Sequence, residues 1–320
     1  MCNLFSVKQI GSRTRMNKTN RFSHGELDGA GKALVDTLFQ RQPPWTVASI
    51  SGFDAAFFSG LVIAAKPTKI VEVGVASGWG SVVMLSALEA AGVQDYEYVG
   101  VDIADRFFYD SQYATGEAVT EVLPDSASKY SLMTGRSIGE VAGEIGGGVD
   151  FAFIDAHHMH PWATLDLLAL LPFMLPESWV ALHDLSLCLK ADQDHHNRGP
   201  KYLFEGWDGE KVHSIQEPTM AGAIRLGALP EEHLSLLIDV LYTPWEMPVD
   251  QRFIAPIEAT IADNYGSEWG QKLARAAEVG NYFANKMHAT EAVAPPQSLK
   301  STLALAARQL SGALVRPFRR

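Results

Sequence analysis

The chain is poor in cysteine, with two in 320 residues, Cys2 and Cys188. That excludes a disulfide framework and fits a reduced, cytoplasmic setting. It also lacks any apolar stretch near the roughly 18 residues that a membrane span needs. Its first residues, MCNLFSVKQIGSRTRMNKTNR, are basic and polar and have no continuous apolar run, so they do not read as a secretory signal. Positive charge is scarce: 26 Lys and Arg stand against 37 Asp and Glu, a net charge of −11. Such a balance argues against a nucleic acid or an anionic membrane as partner for the body of the protein, because phosphate binding needs a basic face. There is no C-x-x-C and no H-E-x-x-H, which removes the common zinc spacings. No internal repeat is present.

What remains is ordinary globular material, 47% hydrophobic and 20% charged, enough for a sizeable core. Residues 1–24 read as a basic, flexible arm. Residues 25–228 read as one α/β domain preceded by its own helices. In that domain FDAAFFSGLVIAA is apolar almost all round and so is packed on both sides. TKIVEVG, YEYVGVD, KYSLMTG, VDFAFID and SWVALHD are β-type runs that alternate with helical stretches, which indicates βαβ units and a parallel sheet covered on both faces. KVHSIQ and AGAIRLG read as closing strands, an antiparallel pair at one edge. Residues 229–288 are helical in pattern. By composition 289–298 is a linker, and 299–320 is a basic helix with Leu299, Leu303, Leu310 and Leu314 on one side. Its charges, Lys300, Arg308, Arg316, Arg319 and Arg320, are all positive, so contact with an anionic membrane or a docking partner is open to it.

Three stretches carry chemistry. TKIVEVGVASGWGS is a strand running into a glycine-bearing turn and then a helix, where backbone amides approach a ligand closely. Its spacing is G-x-x-x-G-x-G, with Ala76 where a nicotinamide-binding turn wants its second glycine. The next strand ends in Asp102, placed to accept both hydroxyls of a ribose. Glu72 stands inside an otherwise apolar strand, where a carboxylate costs free energy unless paired; an ammonium-bearing ligand would pair with it. Finally IDAHHMHPW sets Asp155, His157, His158 and His160 at the end of a strand.

VEVGVASGWG, VGVD, FAFIDAHH and WVALHD, in that order, resemble the class I S-adenosylmethionine-dependent methyltransferases, and more narrowly the branch of catechol and macrolide-sugar O-methyltransferases. The resemblance covers roughly residues 50 to 227. It implies a Rossmann-like, seven-stranded, mostly parallel sheet with helices on both faces and its last strand antiparallel, here with helical N- and C-terminal extensions. It also implies that Glu72, Gly74, Ala76, Ser77 and Gly78 line the methionine end of the cofactor. Asp102 would hold the ribose, Gly135 and Ser137 would meet adenine, and Asp155 would lie against cofactor and metal alike.

Asp155 and Asp184 end two strands which, if neighbours about 4.8 Å apart, bring both carboxylates to one divalent cation, Mg²⁺ or Mn²⁺. The resembled enzymes hold a metal there. Their third ligand is an amide just after the second aspartate, where this chain has Leu185, or a carboxylate just before it, where this chain has His183. A histidine ligand moves the preference from Mg²⁺ towards Mn²⁺, Fe²⁺ or Zn²⁺. His158, three residues after Asp155, falls on the family's general base, and an imidazole suits proton removal near neutral pH. His157 and His160 read as substrate or supporting contacts, Trp162 as core packing or an apolar wall, and His195 and His196 as members of a polar loop that covers the acceptor, completes the metal shell or stays at the surface.

The function expected is methyl transfer to a hydroxyl of a small molecule or sugar, by a monomer or homo-oligomer. Three alternatives stand beside it. Nucleic-acid N-methylation would want N/D-P-P-Y/F where this chain has DAHH. An Fe(II) hydroxylase of the cephalosporin-hydroxylase type shares the motif set. A binding-only protein would hold the cofactor without transfer.

Overall fold

The computed structural model describes residues 21–23, 25–47, 49–190 and 196–293. Two helices, α1 (Glu26–Leu38) and α2 (Gly52–Ala65), lead into a Rossmann-like alternation: β1 (Lys69–Val73), α3 (Trp79–Ala90), β2 (Glu97–Asp102), α4 (Glu117–Val122), β3 (Tyr130–Thr134), α5 (Ile138–Ile145), β4 (Val149–Ile154), α6 (Trp162–Leu170) and β5 (Met174–Leu182). After α7 (Gly199–Gly206) come the short strands β6 (Lys211–His213) and β7 (Gly222–Arg225), then α8 (Leu234–Leu241), α9 (Gln251–Tyr265) and α10 (Ser267–Val293). The seven strands form one sheet in the order β3-β2-β1-β4-β5-β7-β6. β1 to β5 run parallel, and β7 lies antiparallel between β5 and β6.

The strands are apolar on both faces because both faces are covered. With a side-chain period of two, Val71, Val73, Val99, Val101, Ala152, Ile154, Val180 and Leu182 face a core shared with α5, α6, α8, α9 and α10. Ile70, Tyr98, Phe151, Phe153, Trp179 and Ala181 face a second core with α1, α2, α3 and α4. Each such large apolar side chain withdrawn from water contributes about 1.5–3 kcal/mol, so the sheet is the rigid base for whatever its carboxyl edge carries. α2 is buried from Asp54 through Val62, as its all-round apolarity requires.

One boundary differs from the composition. α10 continues to Val293, into the stretch read as a linker, because Ala-Thr-Glu-Ala-Val contains good helix formers and the prolines stand only at 295 and 296. The basic C-terminal helix at 299–320 and most of the N-terminal arm lie outside the described residues. Among the described residues no helix is long and apolar enough to cross a membrane.

Candidate active site

The carboxyl ends of β1, β2 and β4 meet in a small volume, and backbone geometry brings them there. Gly74 follows β1 with φ +91°, and a Cβ on it would stand 2.4 Å from the Asp155 carbonyl oxygen. Glycine is therefore required where the first turn crosses the end of β4. The Asp102 carboxylate organises the same turn: Oδ2 accepts from the amides of Val75 and Ala76, both at 2.9 Å, and Oδ1 accepts from Ala104 N at 2.9 Å. A cavity of about 410 Å³ opens beside these residues, within the size range of small-molecule and cofactor sites.

Of the residues expected around a cofactor, Gly74, Ala76, Asp102, Ser137 and Asp155 line this cavity. Ser77 and Gly78 turn instead towards the start of α4, where Ala118 N donates to Ser77 O and a Cβ on Gly78 would meet Gly116 just before the helix. Gly135 has φ +74° and is not part of the cavity wall.

Glu72 departs from expectation. Its side chain points into the second core, wholly buried, with Ser81 Oγ and Tyr98 OH both donating to Oε2, the latter at 3.0 Å. Burial pushes its carboxyl up to about 8 against those two hydrogen bonds. Partners for one carboxylate oxygen are thus found inside the fold, while Oε1 is buried without a hydrogen-bond partner.

The acid–histidine cluster sits at the ends of β4 and β5, which are hydrogen-bonded neighbours. Asp155 follows β4, its amide donating to Val73 O at 2.9 Å. His183 and Asp184 follow β5, and Asp184 has φ +58°. His158 Nε2 lies 3.1 Å from Asp184 Oδ2 and 3.5 Å from Asp155 Oδ1. Ligand atoms of Asp155, His158 and Asp184 all fall within 4.8 Å of one another, a spacing that can hold a metal ion.

His183 stands behind this trio. Nδ1 is 3.1 Å from Asp155 Oδ1 and Nε2 is 3.4 Å from Oδ2 of Asp54, which rises from α2 and takes a hydrogen bond from Ser51 Oγ at 2.6 Å. Burial works to lower the His183 pKa, but the charges of Asp155 and Asp184 outweigh it and hold the ring well above its ordinary value. The grouping whose ligand atoms lie close enough for one ion is Asp155, His158 and Asp184, with the expected third ligand His183 directly behind it, its Nδ1 also 3.8 Å from Asp184 Oδ2. For His158 as well, burial lowers the pKa and the two aspartates raise it further. In Asp155 burial alone would raise the carboxyl, while His183 and His158 hold it below the usual range.

The other histidines are structural neighbours of the site. His157 Nδ1 accepts from Met159 N at 3.2 Å, and the ring stacks on Trp162 at 5.8 Å. His160 is fully buried, with Nε2 2.8 Å from Thr243 Oγ1, and burial pushes it down to about 4. Glu246 accepts from the amides of His160 and Arg198, at 2.8 and 2.9 Å, and Gly199 N donates to His158 O at 2.8 Å. The loop that carries His158 is thereby tied to the segment before α7 and to the C-terminal helices. His196 lies 4.0 Å from Glu246, and His195 lies outside the described residues.

Among the cavity and cluster residues that had not been singled out from the sequence are Asp54, Arg136, Asp166 and Phe253. Asp54 and Asp166 did leave a signal, since each is the lone charge in an apolar helical run, FDAAFFSGLVIAA and TLDLLALL. Arg136 is held by Glu144 at 2.8 Å. Phe253, from α9, packs edge-on against Trp162 at 5.3 Å and closes the cavity wall; nothing local in its sequence marks it.

Residues 71–185 match a family model described as a methyltransferase domain. The matched stretch runs from within β1 to just past β5 and holds the motifs on which the class I S-adenosylmethionine-dependent resemblance rests. No curated protein matches the chain. Among solved structures it is similar to the O-methyltransferase TomG from Streptomyces achromogenes, involved in tomaymycin synthesis and determined in complex with S-adenosylmethionine: 16% identity, 64% of this chain and 92% of that one, TM-score 0.43. It is also similar to the O-methyltransferase from Bacillus cereus in complex with S-adenosylhomocysteine, at 14% identity, 60% of this chain, 89% of that one and TM-score 0.43. Likeness at these scores carries no residue role across.

Proposed function

We propose that the protein is an S-adenosylmethionine-dependent O-methyltransferase, assisted by a divalent metal, acting on a hydroxyl of a small molecule or sugar. The observation that carries this reading is the placing of Asp155 and Asp184 on neighbouring strand ends with His158 against both, where Asp155 also lines the cavity. In an open α/β sheet, ligands bind beyond the carboxyl ends of the strands. The cavity, its turn of close-approaching backbone at Gly74 and the Asp102 carboxylate fit the cofactor.

Asp155 and Asp184 offer hard oxygen donors, which suit Mg²⁺ or Mn²⁺. A cation bound there would lower the pKa of an acceptor hydroxyl, and bound S-adenosylmethionine would offer a methyl group on a sulfonium. His158 takes the acceptor's proton on Nε2. It must be neutral to do so, and neutralising the two carboxylates removes what raises its pKa. His183, held between Asp155 and Asp54, orients Asp155. A second reading, in which His158 is itself the third ligand, is favoured by the mutual spacing of the trio.

Calorimetry with MnCl₂ and with S-adenosylhomocysteine tests the proposal. Wild type is expected to bind both, and Asp184→Asn only the latter. Failure of wild type to bind Mn²⁺ refutes the metal, and failure to bind S-adenosylhomocysteine refutes the cofactor. His158→Ala divides the two readings. As the base, its loss leaves Mn²⁺ affinity intact and cuts turnover of a catechol or sugar probe about 10²-fold or more; as a ligand, its loss weakens Mn²⁺ itself.

A further inference from the structure

One residue of the cavity wall carries a buried polar atom that has no partner in the fold. Asp166 stands one helical turn after Trp162 on α6 and lines the same cavity. It is 6% exposed, and its Oδ2 is buried with no hydrogen-bond partner. The other polar side chains near it are engaged. Asp102 holds three backbone amides. Arg136 is paired with Glu144, and the Ser137 hydroxyl donates to Glu140 at 2.8 Å. Around Asp166 the wall is apolar: Val101, Ile138, Trp162 and Phe253.

A buried acceptor without a donor costs about 1–3 kcal/mol, and an apolar core position would be filled more favourably by leucine. Val101, Ile138, Trp162 and Phe253 suit a flat, apolar-faced ring, and Asp166 supplies the edge contact such a ring would need if it bears N–H groups. The turn from β3 to α5, beside which Asp166 stands, is the segment expected to meet adenine, yet its own side chains are taken.

We propose that Asp166 reads the adenine of the bound cofactor, its carboxyl accepting from the exocyclic amino group. The inference rests on the cofactor reading above. Burial alone, with no charged neighbour, pushes the Asp166 carboxyl up to about 7. Near neutral pH it therefore also exists as the acid, with one acceptor and one donor. An adenine edge offers the complement, an amino N–H beside a ring nitrogen that accepts. An asparagine side chain presents the same pair, and a leucine presents neither.

The test is binding of S-adenosylhomocysteine and of its purine analogue lacking the 6-amino group, by calorimetry, to wild type, Asp166→Asn and Asp166→Leu. Wild type is expected to favour the adenine compound by about tenfold or more, and Asp166→Asn to stay within about threefold of wild type. Asp166→Leu should lose at least about tenfold on the adenine compound and most of the discrimination. Methylthioadenosine, which keeps adenine but lacks the amino acid, should suffer the same loss. Equal binding by wild type and Asp166→Leu, or undiminished discrimination in Asp166→Leu, overturns the proposal. So does a loss confined to ligands bearing the amino acid, which would assign Asp166 to the other end. If wild type binds none of the adenine compounds, the cofactor reading falls and this inference with it.

Discussion

Asp166 makes a prediction about stability that does not depend on any ligand. Its carboxyl is buried against apolar walls and its pKa rises from an ordinary 3.8 to about 7. An acid whose pKa is raised on folding holds its proton in the folded chain over a range where the unfolded chain has released it. Its contribution is therefore most favourable below pH 3.8 and is lost as pH rises through about 7. At about 1.4 kcal/mol per pH unit, the penalty is about 1.5 kcal/mol at pH 5 and about 4 kcal/mol at pH 8. Asp166→Asn keeps the shape and removes the titration. The variant should thus gain on wild type by about 2.5 kcal/mol between pH 5 and pH 8, measured by urea unfolding of ligand-free protein at the two pH values with matched slopes. Glu72, also raised by burial, titrates in both proteins and cancels in the difference. A stability difference that is the same at both pH values, within about 0.5 kcal/mol, would refute the claim that this carboxyl is desolvated.

Two further perturbations probe the scaffold of the site. Gly74→Ala forces a Cβ to 2.4 Å from the Asp155 carbonyl oxygen at a φ of +91°; it should cost about 2 kcal/mol or more in urea unfolding and weaken S-adenosylhomocysteine binding in calorimetry. Ser51→Ala removes the N-cap of α2, whose Oγ accepts from Asp54 N at 3.2 Å and donates to the Asp54 carboxylate. About 1 kcal/mol of stability should be lost, with Mn²⁺ affinity reduced in addition if Asp54 aligns the cluster through His183.

How much of this was legible in the sequence follows from what is local and what is not. KIVEV, EYVGVD and VDFAFI announce themselves as buried strands because both of their faces are apolar, and the ends of such strands in a parallel sheet fix where Asp102, Asp155 and Asp184 stand. The start of β5 was not legible. Met174–Leu182 opens with exposed Leu-Pro-Glu, Glu177 takes φ +63° and the register with β4 shifts, so only SWVAL reads as strand. Asp54 and Asp166 were visible as charges in apolar helices, but their surroundings come from distant parts of the chain and were not. Glu72 was recognised as odd for the right physical reason. The partners of its Oε2, Ser81 and Tyr98, belong to α3 and β2, so the pairing is tertiary. Phe253 reaches the cavity only because α9 packs on α5 and α6, a contact that no spacing rule reveals.

The donor set also bears on the alternative of an Fe(II) hydroxylase. A facial triad for that chemistry needs two neutral imidazoles and one carboxylate. Near Asp184 two histidines are at hand, but they are not equivalent. His183 has a carboxylate at each ring nitrogen, Asp155 at 3.1 Å and Asp54 at 3.4 Å. Turning either nitrogen to a metal would leave a carboxylate, Asp54 or Asp155, buried without its partner, which costs several kcal/mol. One histidine and two carboxylates are left, the inverse of the triad and a set richer in oxygen, which favours Mg²⁺ or Mn²⁺ over Fe²⁺. Asp54→Leu separates the alternatives. By removing one of the two carboxylates that engage His183, it should raise affinity for Fe²⁺ relative to Mg²⁺, measured by competition calorimetry under anaerobic conditions. An unchanged ratio would mean that Asp54 does not govern the choice of ligand.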